Sequence, residues 1–284
     1  MAAGTKGREG LVTTRRSMRK VFHGGRFMSE MISLLCPTRG RPDFMEKMYS
    51  SAWYYAKRPQ DMEVIWYIDD DDDASIQRFN DIKTVDHRTR YAAVIGPRIC
   101  LSETWNKCFE RASGDIFMHC GDDVRFTTWD WDVKIRQVFD QCKDKIIFMG
   151  GPDGFHKPES RFITHGFLHR NWVETVGYFV PPYFVSDYND TWLNEVSEMI
   201  GRKVYLNNFK LDHLHPVAGK HHWDRTHLER LDRHRKDGPG NLYAEKGPER
   251  QLDARKLMEF MEDFKDEDRN SGSREVGTSL CSGG

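Results

Sequence analysis

The sequence predicts an α/β protein: a mostly parallel central sheet flanked by helices, in one domain whose second half is irregular. Two observations carry this. Between the ends of the chain, short apolar runs alternate with amphipathic stretches, as strands do when helical crossovers join them. Two of the runs also finish in acids, "VIWYIDDDDDAS" (Val64 to Ser75) and "DIFMHCGDDVRF" (Asp115 to Phe126). The C-terminal edge of an open α/β sheet is where ligands bind.

The elements follow in order. "MISLLCPT" is the first strand, and Asp43 to Lys57 suits a helix. "MEVIWYI" is the second strand, closed by five aspartates and followed by a short helix over "ASIQRFNDI"; "YAAVIG" is the third. Leu101, Trp105, Cys108, Phe109 and Ala112 then recur at helical spacing, with Ser102 expected as N-cap and Gly114 as the stop. "DIFMHC" is the fourth strand and delivers Asp122 and Asp123 to its end. A helix around Asp130 to Gln141 and the strand "KIIFMGG" lead into the irregular half. There, a helix from Thr191 to Ile200 gathers Trp192, Leu193, Val196, Met199 and Ile200 on one face. Beyond Pro216 the chain is rich in His, Arg and Lys, and a last amphipathic helix is expected from Glu249 to Phe264. Residues 1–30 read as a basic disordered arm, 31–265 as the domain, with a division near 125, and 266–284 as a disordered tail.

Composition narrows the class. With 43 Lys+Arg against 44 Asp+Glu, overall charge gives no argument for a polyanionic partner. The six cysteines form no C-x-x-C pair and several sit in apolar runs, which favours reduced thiols and a cytoplasmic setting. No stretch approaches the ~20 apolar residues that span a bilayer, so no membrane span is expected.

Crowding Asp69 to Asp73 together needs compensation, since each like pair at ~4 Å costs about 1 kcal/mol in water and several times that when partly buried. Asp71 to Asp73 precede a helix and read as caps facing its positive end, or as a solvated run; Asp69 and Asp70 sit where the strand meets the ligand edge. The pair Asp122 and Asp123 follows a strand and a glycine. Two hard carboxylates on such a turn suit Mg²⁺ or Mn²⁺. The same spacing also suits a plain turn and helix cap.

The order "ISLLCPTRGRP", "YIDD" and "LSETWNKCFERASGDIFMHCGDDV" resembles the nucleotide-sugar glycosyltransferases of the GT-A fold, especially the large inverting group. That group carries a helix, A-x-G-D, a strand and a D-x-D-like acid pair. The resemblance runs from Met31 to Lys220. It implies that Pro37, Thr38 and Arg39 line a nucleotide pocket and that Asp69 or Asp70 accepts hydrogen bonds from the base or ribose. It implies further that Asp122 and Asp123 hold Mn²⁺ or Mg²⁺ against the diphosphate of a nucleotide-sugar donor, UDP-sugar being expected. Here the triplet is Gly121, Asp122, Asp123 rather than D-x-D, which leaves open the carboxylate that ligates.

The family's late acid, its general base, matches Asp190, eleven residues before Gly201, better than Asp187, although either also suits a helix N-cap. "DHLHP" puts His213 and His215 on one expected strand face, and one of them would supply the family's metal-binding imidazole. Lys220 reads as a surface lysine or a diphosphate partner. The implied activity is inverting sugar transfer to an acceptor hydroxyl on a saccharide, a protein, or a hydroxymethylated base in phage DNA, the last in the host cytoplasm. Two other classes compete: a nucleotidyltransferase on the same nucleotide fold, and a non-enzymatic nucleic-acid-binding module. The basic arm and "GKHHWDRTHLERLDRHRK" are the module's support, without zinc-finger spacing.

Overall fold

The computed structural model describes residues 30–85 and 90–275; the arm over residues 1–29, Cys281 and residues 276–284 lie outside the described residues. The expected βα alternation is present. β1 (Ile32–Thr38), α1 (Pro42–Tyr55), β2 (Met62–Asp69), α2 (Asp73–Val85), β3 (Arg90–Gly96), α3 (Leu101–Arg111) and β4 (Ile116–His119) succeed one another. The short β5 (Val124–Phe126) then leaves the sheet, and α4 (Trp131–Gln141), β6 (Phe148–Gly150), β7 (Phe167–His169), α5 (Arg170–Val176), α6 (Asn189–Met199), β8 (Lys203–Tyr205) and β9 (Leu211–His213) follow. The chain closes with α7 (Arg225–Asp237), α8 (Pro239–Glu245) and α9 (Gly247–Glu275).

Seven strands form one sheet in the order β3-β2-β1-β4-β7-β6-β8. β1, β2, β3 and β4 pair in parallel; β7 runs antiparallel to both β4 and β6. Every residue of β2 is buried, as a central strand covered on both faces requires. Its side chains alternate: Val64, Trp66 and Ile68 join a core with Met45 and Met48 of α1, while Ile65 and Tyr67 join one with Trp105, Trp172 and Trp192 of α3, α5 and α6. The Trp105 indole donates to the carbonyls of Leu35 (3.2 Å) and Cys120 (3.1 Å), fastening the middle of β1 and the end of β4 to α3.

Several local expectations are corrected. Cys100, not Ser102, is the N-cap of α3; Ser102 lies inside the helix, where its hydroxyl is 2.7 Å from the Phe184 carbonyl and 2.9 Å from Asn189 Oδ1. α3 ends at Arg111 with Ala112 as its C-cap, ahead of Gly114, which has a different task. Its amide donates to Ser33 Oγ (3.1 Å) and Glu63 Oε1 (3.2 Å), and an added Cβ would stand 2.7 Å from the Met31 carbonyl. α6 starts at Asn189, so Asp190 is in its first turn and Tyr188 is the N-cap. The last helix, α9, runs from Gly247 to Glu275, beyond the Glu249 to Phe264 expected for it. β9 stops at His213, so His215 shares no strand face with it.

Candidate functional site

A cleft of about 580 Å³ opens at the C-terminal edge of β1, β2 and β4, and α7 lies along it with Thr226, His227, Arg230, Arg233 and His234. These five sit at helical spacing, so one polar, basic stripe of α7 faces the cleft. No helix among the described residues is long and apolar enough to cross a membrane.

The five aspartates divide their work. Asp69, buried at the end of β2, lines the cleft with Pro37, Thr38 and Arg39 of the β1 end. Arg39 donates to Asp69 (2.6 Å) and grips both oxygens of Asp71 (2.5 and 2.9 Å). Asp70 is absent from the cleft wall; its amide donates to the Gly96 carbonyl (2.8 Å) and ties β2 to β3. Asp72 is the cap: one oxygen accepts from the Ser75 amide (3.2 Å) at the start of α2 and the other from the Gly40 amide (2.6 Å). Gly40 has φ +64°, the left-handed turn through which the chain passes from β1 to α1.

The second pair is more deeply built. Asp122 accepts from Thr38 Oγ1 (2.8 Å) and from Arg41 Nη1 (3.1 Å); burial pushes its carboxyl up to about 6, against the pull of Arg41. Asp123 faces His213 Nε2 at 3.5 Å, and the other ring nitrogen of His213 is 3.5 Å from Asp153. Burial would lower the His213 imidazole, but the two carboxylates overcome it and raise it to about 9. The register Val124↔His213 between β5 and β9 is what delivers this histidine to the acid turn.

His165 completes the group. Ligand atoms of Asp123, His165 and His213 all lie within 4.8 Å of one another, and all three residues are buried. Nδ1 of His165 is 3.2 Å from the His119 carbonyl, whereas its Nε2 is buried without a hydrogen-bond partner, an expensive state for a ring nitrogen. Gly121 explains the room: a Cβ there would stand 2.7 Å from Asp123 Oδ1 and 3.1 Å from His165 Cε1. An imidazole from the loop before β7 thus fills the space beside Asp123 that a first acid of D-x-D would enter. Asp122 and His215 stand outside this trio. His215 Nδ1 instead accepts from the Val217 amide (3.2 Å), its ring centroid 5.3 Å from that of His213.

Asp190 also lines the cleft. Its Oδ1 accepts from the Thr191 amide (2.8 Å), and burial, helped by nearby Asp187, raises its carboxyl to about 6. Asp187 is engaged by Arg230 (3.0 Å) and His234 (2.6 Å) and tethers α7. Lys220 pairs with Asp212 (2.5 Å) and is absent from the cleft wall. Arg41, Asp153, His165, Asp224 and the α7 stripe were not foreseen from the sequence; the one available signal was Gly121 standing where D-x-D has an acid.

A mostly parallel sheet of seven strands flanked by helices is a GT-A-like fold. No protein-family model matches the chain, and no curated protein matches it. Among solved structures it is similar to the mannosyltransferase PcManGT from Pyrobaculum calidifontis in complex with GDP-Man and Mn²⁺, at 12% identity over 83% of this chain and 87% of that one, TM-score 0.53. It is also similar to S. aureus TarS, at 12% identity over 72% of this chain and 43% of that one, TM-score 0.52, and to TarS 1-349 in complex with UDP-GlcNAc, at 12% identity and TM-score 0.50. At such identity the likeness is one of fold.

Proposed function

We propose that the protein is a metal-dependent glycosyltransferase that moves a sugar from a nucleoside diphosphate sugar, UDP-sugar being the first choice, to an acceptor hydroxyl with inversion. The observation that carries this reading is the buried trio Asp123, His165 and His213 at the sheet edge of a GT-A-like fold, in one cleft with Asp190. The trio fits a divalent cation: it offers a carboxylate, two imidazoles and a buried Nε2 that nothing else satisfies. Two nitrogen donors suit Mn²⁺ better than Mg²⁺, which prefers oxygen. Such an ion supplies Lewis-acid stabilisation of a departing diphosphate.

The chain's own residues do the rest. Asp69, with one oxygen turned to Arg39, has the other available to a base or ribose donor, and Pro37 and Thr38 form the wall beside it. Asp190 acts as the general base: at neutral pH a carboxyl near 6 is ionised yet basic enough to take a hydroxyl proton. Residues up to 125 serve mainly the donor and those after it mainly the acceptor. In the basic segment that suggested a nucleic-acid module, Arg230 pairs with Asp187, Arg225 with Glu229 and Lys236 with Asp232, which weakens that segment's support for the module.

Thermal-shift screening of UDP- and GDP-sugars with and without Mn²⁺ tests the reading. A metal-dependent shift followed by release of nucleoside diphosphate is expected. Pyrophosphate release would make the protein a nucleotidyltransferase instead, and no shift with any nucleotide would sink the proposal. Candidate acceptors, namely saccharides, proteins and DNA carrying hydroxymethylated bases, are then compared by sugar incorporation.

A further inference from the structure

Arg41 precedes α1 directly and is buried, yet the donor reading gives it no task. Its Nη1 is 3.1 Å from Asp122 and 3.8 Å from Asp123; its Nε and Nη2 lie 2.8 and 2.9 Å from the two oxygens of Asp224, and Nη2 is 2.6 Å from His227 Nδ1. A fixed positive charge therefore shares Asp123 with the trio that suits a divalent cation. Two cations so close repel strongly where water is scarce. A diphosphate in the cleft changes the balance, because its oxygens can face the ion on one side and the planar guanidinium fork on the other.

We propose that Arg41 makes cation binding conditional on nucleotide. In the empty cleft the guanidinium is the counter-charge of Asp122, stands 3.8 Å from Asp123 and opposes a second cation. With a nucleoside diphosphate present, ion and nucleotide bind with positive coupling, each raising the other's affinity by the same factor. Asp224, the N-cap of α7, grips the same guanidinium, so the charge that gates the cation also anchors the helix along the cleft. The proposal rests on the donor reading above.

The test is a Mn²⁺ titration of the full chain, following the electron paramagnetic resonance signal of the free ion, alone and with UDP or GDP, and the reciprocal nucleotide titration. The wild-type protein is expected to bind Mn²⁺ about tenfold or more tightly with nucleotide. Arg41→Gln should bind Mn²⁺ more tightly than wild type in the absence of nucleotide and lose most of the coupling. Asp224→Asn should do the opposite to bare Mn²⁺ binding, weakening it, because the guanidinium charge is then left to Asp122 and Asp123; this variant decides the matter if Arg41→Gln does not melt cooperatively. Equal wild-type Mn²⁺ affinity with and without bound nucleotide overturns the coupling and, by reciprocity, the metal dependence of nucleotide binding in the reading above. Unchanged Mn²⁺ affinity and coupling in the folded variants overturns the role of Arg41 and leaves the donor reading standing. Absence of nucleotide binding overturns both proposals.

Discussion

Replacing Asp190 by Asn should reduce transfer and raise stability together. Burial lifts this carboxyl from the ordinary 3.8 to about 6. The folded state therefore holds the proton more tightly than the unfolded chain does, and stability falls as pH rises between those two values. Above pH 6 the penalty is complete. A gap of this size corresponds to roughly 3 kcal/mol, and cleft water screening one side reduces it to about 1–3 kcal/mol. Asn keeps the shape and the carbonyl oxygen that accepts from the Thr191 amide, but carries no charge to bury. At pH 7 Asp190→Asn should thus melt several degrees higher than wild type, the difference vanishing below pH 4. Nucleoside diphosphate release from the donor that the shift screen identifies should meanwhile fall by about 10²–10⁴-fold, the usual worth of a general base. The wild-type rate should rise through pH 6, and the variant's residual rate should lack that step. Transfer at wild-type rates would refute the base assignment; an unchanged or lower melting temperature at pH 7 would refute the burial argument and return Asp190 to a structural role.

Three further outcomes follow from the same geometry. His165→Ala should weaken Mn²⁺ binding, measured with UDP present, by at least the roughly 10–100-fold that loss of an outer-shell partner brings, whereas His215→Ala should leave it nearly unchanged; equal effects would contradict the trio. Asp72→Ala removes the bonds to Ser75 and Gly40 and should cost about 1–2 kcal/mol in denaturant unfolding while Mn²⁺-dependent turnover persists. If Asp72→Ala abolished that turnover and Asp123→Ala did not, the roles of the two acid clusters would be reversed. Gly114→Ala would drive a methyl group against the Met31 carbonyl and Ser33 and should destabilise by about 1–3 kcal/mol; an unchanged unfolding midpoint would show that the loop yields.

Much of the first half of the chain was legible because its signals are local. A strand buried on both faces reads as a near-continuous apolar run, and "MEVIWYID" does so apart from Glu63, which is hydrogen-bonded to Ser33 and Gly114, and its terminal Asp69; the acids that end it lie at the C-terminal edge of the sheet. Asp69, Asp122, Asp123 and Asp190 were all named from the sequence, and all line the cleft. What fails locally is the division of labour within a run. Asp69 to Asp73 are five identical side chains in the sequence, yet Arg39 engages Asp69 and Asp71, the amides of Gly40 and Ser75 engage Asp72, and Asp70 turns away.

The alternation of strands and helices, the mostly parallel sheet and the two acid-tipped strands are set by hydrophobic period and turn chemistry, which are short-range and so belong to the sequence itself. The third member of the buried Asp/His/His cluster belongs to tertiary structure. His165 is 42 residues from Asp123 and 48 from His213, and it reaches them because β7 inserts antiparallel beside β4 while β9 pairs with β5. Arg41, Asp224 and His227 likewise meet only when α7 returns across the cleft. Long-range strand pairing and the docking of a polar helix leave no periodic trace in the chain, and for that reason only the folded structure decided them.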